Sequence, residues 1–163
     1  MKIIRIIPFI TTVMIMVLIF GFSSQNSETS SNLSRGITET VVNSLPIIKD
    51  MTEAQKKTII LNIHNFVRKG AHFTLYAILG FSAAAMFLSA RPQKRMLYIW
   101  IYAVVLSCVY ASTDEFHQLF VSGRGGKVSD VILDTSGSMA GSGLFILARR
   151  VFFKIKDFLA DKA

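Results

Sequence analysis

The sequence contains a single cysteine, Cys108, in the middle of an apolar run. No intramolecular disulfide can form and no thiolate cluster can hold a metal, so cysteine usage leaves the compartment open. Acids are scarce, ten against eighteen Lys and Arg, giving a formal charge of +8. Charge of either sign is only 17% of the chain and mean hydropathy is +0.48, too apolar for an ordinary soluble domain. Also missing are a Gly-x-Ser-x-Gly elbow, a P-loop and an H-E-x-x-H pair. Their absence removes the usual signals for a serine hydrolase, a nucleotide cradle and a zincin helix.

What is present is a set of apolar runs. About 20 residues cross a hydrocarbon core of about 30 Å. Four stretches meet that test, at about 3–22, 71–90, 96–113 and 131–148, the last being weakest because it carries Asp134 and many Ser and Gly. The fold class expected is therefore all-α: a polytopic four-helix transmembrane bundle forming one membrane domain over residues 1–163. The first run is longer than a usual signal peptide core, and no small-x-small cleavage pattern follows promptly, so it reads as a retained span.

Between the spans lie two polar segments, 23–70 and 114–130, and a tail, 149–163. Ser23 to Ser31 is polar enough to read as irregular. Ile37, Val41, Val42 and Leu45 then recur at helical spacing until Pro46, and Thr52-x-x-Gln55 reads as a capping box opening a second amphipathic helix. His64, in that helix, reads as a surface histidine. The tail interleaves Phe152, Phe153, Ile155, Phe158 and Leu159 with lysines, a short cationic helix suited to an anionic leaflet.

A +8 charge suggests nucleic acid in a soluble protein, but here the cations flank apolar runs and no basic patch interleaves with aromatics outside them. No nucleic-acid partner is expected. The N-terminus, the Arg91–Arg95 turn and the tail hold ten of the eighteen cations in short segments, and Lys2 and Arg5 precede the first span with no cation after it until Arg35. The positive-inside rule then puts both termini in the cytoplasm and both polar segments outside.

Polar residues within a bilayer cost about 2.5 to 3.5 kcal/mol per charge at mid-span on insertion scales, so they need a reason. They gather at one end of three spans. Arg68 and Lys69 precede the second span, where His72, Tyr76 and Gly80 share a face at spacing four. The third ends with Ser107, Ala111, Asp114 and Gln118 on one face, beside Glu115 and His117. The fourth begins with Asp130, Asp134, Gly137 and Gly141 along one stripe. Gly137-x-x-x-Gly141 lets a neighbouring backbone come close, and Gly80, Ala83 and Ala84 offer the matching surface.

Three readings of this cluster stay open: a mutually satisfied polar network fixing register, an acid–base or proton-handling site, and a zinc site from two histidines and a carboxylate. For Arg124, in Val121-Ser122-Gly123-Arg124-Gly125-Gly126-Lys127, the alternatives are a clamp on an anionic group and a turn cation paired with Asp130 or Asp134.

At these residues the sequence resembles the VanZ-like family of bacterial membrane proteins. The resemblance rests on Phe22-Ser23-Ser24-Gln25, Arg68-Lys69-x-x-His72-Phe73-x-x-Tyr76-x-x-Leu79-Gly80, Asp114-Glu115-x-His117-Gln118, Gly123-Arg124, Asp130 and Gly137-x-x-x-Gly141. Leu75 and Asp134 depart from the pattern, where members often carry an acid and an asparagine. The resemblance implies a multi-pass protein of the bacterial cytoplasmic membrane and no particular reaction; the family's namesake is linked to resistance to the lipid-bearing glycopeptide teicoplanin. The expected partner is a membrane lipid or lipid-linked cell-wall precursor, with no metal or cofactor. Candidate acid–base residues are His72, Asp114 and Glu115; candidate binding residues are Arg68, Lys69, Tyr76, His117, Gln118, Arg124 and Asp130. A transporter is the remaining alternative, though no inverted repeat is visible.

Overall fold

The computed structural model describes residues 2–44 and 52–162. Five helices are described: α1 (Lys2–Ser23), α2 (Ser27–Ser44), α3 (Glu53–Ala90), α4 (Met96–Gln118) and α5 (Val128–Ala160). There is no strand among the described residues. Four of the helices contain stretches long and apolar enough to cross a membrane, Ile6–Ser23, Phe66–Ala90, Met96–Gln118 and Val128–Ala160. The all-α class and the number of spans agree with the expectation.

The capping box forms: Thr52 Oγ1 accepts from the Gln55 N–H at 3.4 Å, and Gln55 Oε1 accepts from the Thr52 N–H at 2.9 Å. From there α3 runs 38 residues without a break. The amphipathic helix and the second span, read separately in the sequence, are one element. Gly70 is the only candidate breaker between them, and an interior glycine costs only about 1 kcal/mol against alanine, too little to stop a helix supported on both sides. At about 1.5 Å per residue α3 is roughly 57 Å long, so its first turns extend past the bundle. The 33-residue α5 likewise absorbs the cationic tail, whose turns stand out at the opposite end with Phe152, Phe158 and Leu159 exposed.

A second correction concerns Ser27–Ser31, read as irregular but helical within α2. Serine and threonine are weak helix formers rather than breakers, and α2 supplements its ladder with a side-chain bond from Thr40 Oγ1 to the Gly36 carbonyl at 2.9 Å. Thr38 and Val42 are fully buried. Pro46, read as the stop, lies outside the described residues. His64 is a third correction: it is half-buried, and its Nε2 meets the Ser31 carbonyl at 3.1 Å, tying α2 to α3.

Small residues bring α3 and α5 together. A Cβ on Gly80, Gly137 or Gly141 would come within 3.0 Å of backbone in Ser138, Phe73 or Ala77 respectively. Ala83 and Ala84 cluster with Ile99 and Ala103 of α4, edged by Phe145 of α5. α1 lies against α3 and α4: Ile19 packs with Tyr76, Leu79 and Ala111, Thr12 and Ser82 share a buried hydrogen bond of 2.9 Å, and the Tyr110 hydroxyl donates to the Met16 carbonyl. These packings hold the long helices together from the cluster around Ile19, Tyr76 and Ala111, near the polar residues, to the cluster around Ala84 and Ile99 at the opposite end of α4.

Candidate functional site

Where α4 ends, its last turn is polar and buried: Asp114, Glu115 and Gln118 are 3%, 5% and 6% exposed. Gln118 Nε2 lies 3.1 Å from Ser23 Oγ and 3.3 Å from both Asp114 Oδ2 and Glu115 Oε1. Its two hydrogens are shared among three oxygens, which fixes the end of α1 against α4. Glu115 Oε2 accepts the Lys127 N–H at 2.7 Å and so holds the start of α5. That geometry needs the glycines of the connection: Gly123 has φ 73°, and a Cβ on Gly126 would collide with the Glu115 carbonyl.

A cleft of about 110 Å³ opens between this connection, α3 and α5. Its cations come from Arg68 and Lys69 on α3 and from Arg124 and Lys127 on the connection. His72, Glu115 and Gln118 line it from α3 and α4, and Asp130, Leu133 and Asp134 from α5. Arg124 Nη2 donates to the Phe22 carbonyl at 3.3 Å, and its Nε is buried without a partner among the described residues. Burial first, and then the charge of Arg68, lowers the Arg124 guanidinium from its ordinary pKa. A guanidinium so placed gains from an anion.

Asp134 is 1% exposed, and neither carboxylate oxygen has a hydrogen-bond partner among the described residues. His72 Nδ1 stands 3.8 Å from Asp134 Oδ2, an ion-pair separation too long for a hydrogen bond. Tyr76 OH, Asp114 Oδ1 and Ser138 Oγ are also buried without partners. Leaving such groups unpaired costs on the order of 1–3 kcal/mol each, so a cluster of them needs an explanation.

Of the ten residues the sequence nominates, seven line the cleft: Arg68, Lys69, His72, Glu115, Gln118, Arg124 and Asp130. Tyr76 and Asp114 are buried outside its lining. His117 stands apart, its ring tilted against Phe20 with centroids 4.8 Å apart. Among the described residues no three His, Cys, Asp or Glu side chains are placed to hold a metal ion. Three participants were not nominated. Asp134 carried a signal, one turn beyond Asp130. Lys127 and Ser23 stood only within longer motifs, with nothing local to single them out, because contacts across 12 and 95 positions depend on the fold.

A family model described as VanZ/LLP1 matches residues 9–149. The chain belongs to the VanZ/LLP1 family. With its four long apolar helices it is a VanZ-like multi-pass membrane protein. The match takes in most of α1, all of α2 to α4 and most of α5, and with them the whole cleft; no curated protein and no solved structure matches the chain. In this VanZ-like protein the cleft pairs a basic side, from α3 and the connection, with an acidic side on α5, an arrangement that can hold charge of both signs.

Proposed function

We propose that this VanZ-like protein binds the anionic group of a lipid-linked or other cell-envelope component at the outer face of the bacterial cytoplasmic membrane. The observation that carries the reading is the convergence of Arg68, Lys69, Arg124 and Lys127 on one cleft, while Glu115, the acid nearest the connection, is occupied by the Lys127 N–H and Gln118. An anion gains most where cations are partly desolvated and held in place. The outward orientation is supported by Lys2 and Arg5 before the first span and by the short basic turn Arg91–Arg95.

The test joins topology to phenotype. With Cys108 replaced by serine, a cysteine at Ser122 is expected to react with an impermeant maleimide in intact cells, and one at Gln93 only after lysis. The opposite labelling would put the cleft in the cytoplasm and sink the reading. In a strain where loss of the gene raises teicoplanin sensitivity, Arg124→Gln is expected to reproduce that loss at unchanged protein level.

A second reading, acid–base chemistry on the bound component, is favoured by one feature: the 3.8 Å approach of His72 to the otherwise unpartnered Asp134. It moves the acid–base candidates from His72, Asp114 and Glu115 to His72 and Asp134. Product analysis of envelope lipids from wild-type and His72→Gln cells separates this reading from simple binding.

A further inference from the structure

The two sides of the cleft carry opposite charge. Asp130 and Asp134 lie one turn apart on α5 and line it together; Arg68, Lys69, Arg124 and Lys127 line it from α3 and the connection. A simple anion satisfies only the second group. It leaves Asp134, 1% exposed and without a hydrogen bond on either oxygen, unserved, and it brings negative charge close to that carboxylate. A ligand carrying an anion and an N–H-bearing cation a few bonds apart satisfies both sides. His72 Nδ1, at 3.8 Å, does not close off Asp134 Oδ2 by a hydrogen bond.

A second observation concerns how such a ligand is tethered. On α4, Phe116 and Leu119 are 64% and 56% exposed, next in sequence to the cleft residues Glu115 and Gln118. On α5, Val128 and Ile132 are 77% and 65% exposed, flanking Asp130. One residue along a helix is only about 1.5 Å of depth, so the apolar outer surface reaches the level of the cleft. In a multi-pass membrane protein that surface faces acyl chains, and a head group attached to such chains reaches the cleft without leaving the bilayer. A volume of about 110 Å³ is well above the ~10–15 Å³ needed to admit one water, so the cleft has room for a group larger than water.

We infer that the cleft takes the zwitterionic head group of an aminophospholipid, its primary ammonium against Asp134 and Asp130 and its phosphodiester against Arg124, Lys127 and Arg68. This rests on the anion-binding reading above and adds the ammonium, the acidic side and the lipid tether to it.

The test is a titration of the purified full chain, delipidated in detergent, with lipid occupancy read by native mass spectrometry. The probes share palmitoyl-oleoyl chains: phosphatidylethanolamine, its mono- and dimethylated forms, phosphatidylcholine and phosphatidylglycerol. Successive methylation removes N–H donors while keeping the charge. Affinity is expected to fall along the series, by about ten- to a hundredfold from the primary amine to the quaternary one, the range for losing a charge-assisted hydrogen bond. Asp134→Asn is expected to bring phosphatidylethanolamine down to the level of phosphatidylcholine, and Arg124→Gln to weaken every phospholipid. Soluble phosphoethanolamine at equal concentration is expected not to displace the lipid; displacement would overturn the tether.

Equal affinity for the whole methylation series would overturn the ammonium assignment. If Arg124→Gln still weakened all lipids in that case, the anion-binding reading would stand alone. If neither Arg124→Gln nor Lys127→Gln changed any lipid's binding, both would fall. The methylation series uses the wild-type chain, so it decides the matter even where Asp134→Asn fails to fold.

Discussion

Gly141 of α5 lies so close to Ala77 of α3 that a Cβ on the glycine would stand 2.8 Å from the Ala77 Cα. Neither backbone can yield without moving the helix. Gly141→Ala is therefore expected to destabilise the bundle by about 1–3 kcal/mol, the usual cost of overpacking. Gly143 is the control: its nearest neighbour beyond its own helix, Trp100 Nε1, would be 3.9 Å from a new Cβ, an ordinary contact. Gly143→Ala should leave stability unchanged or raise it slightly. Thermal melting of the two variants in the same detergent makes the comparison, and equal melting temperatures would contradict this account of the α3–α5 contact.

Glu115 has a structural task before any chemical one. Its bond to the Lys127 N–H fastens the start of α5 to the end of α4. Glu115→Ala should cost about 1.5–3 kcal/mol, the range for a hydrogen bond to a charged group, whereas Glu115→Gln, which keeps one acceptor oxygen, should cost distinctly less. A loss of phenotype in the alanine variant that the glutamine variant does not share would identify fastening rather than proton transfer as the role of Glu115. The same melting assay, run beside protein levels in cells, tests both halves.

The α2 helix is held to α3 in part by His64 and the Ser31 carbonyl. Replacing His64 with phenylalanine removes that bond and keeps a ring in place. Amides of α2 are expected to exchange with deuterium roughly fivefold faster, as the loss of about 1 kcal/mol implies, while protection in α4 and α5 stays the same. Faster exchange throughout the bundle would mean that His64 supports the whole fold.

At its middle, α1 is joined to α3 by the buried hydrogen bond between Thr12 and Ser82. Interhelical bonds of this kind in membrane proteins average about 0.6 kcal/mol and reach about 1.7. Thr12→Val should fall in that range, with most of the loss absent when Ser82→Ala is already present. A double-mutant cycle measures the coupling, and strict additivity would contradict it.

Much of this architecture could be read from residue order. Long apolar runs have few alternatives to a span, the small residues at 80, 137 and 141 announced a close crossing, and Thr52 with Gln55 announced a helix start. Continuity was the hidden part. Arg68-Lys69-Gly70 looked like a boundary because charge and glycine usually mark one, yet none of the three residues breaks a helix whose next turn is already formed. Site membership was hidden for a different reason. Asp130 and Asp134 share a periodicity, so one pointed to the other. Ser23 and Gln118 are brought together only when α1 and α4 lie side by side, and no local pattern encodes that. His117 shows the opposite error: chemically it belongs with His72, but its position on α4 turns it toward Phe20.

Because α3 is one uninterrupted 38-residue helix, the turns that carry α2 continue without a joint into the turns that line the cleft. Phe73, Ala77 and Gly80 meet α5 along one tight seam that begins beside His72. A load on α2 therefore finds no break in the hydrogen-bond ladder before it reaches the edge of that seam, and Arg68, Lys69 and His72 lie on its path.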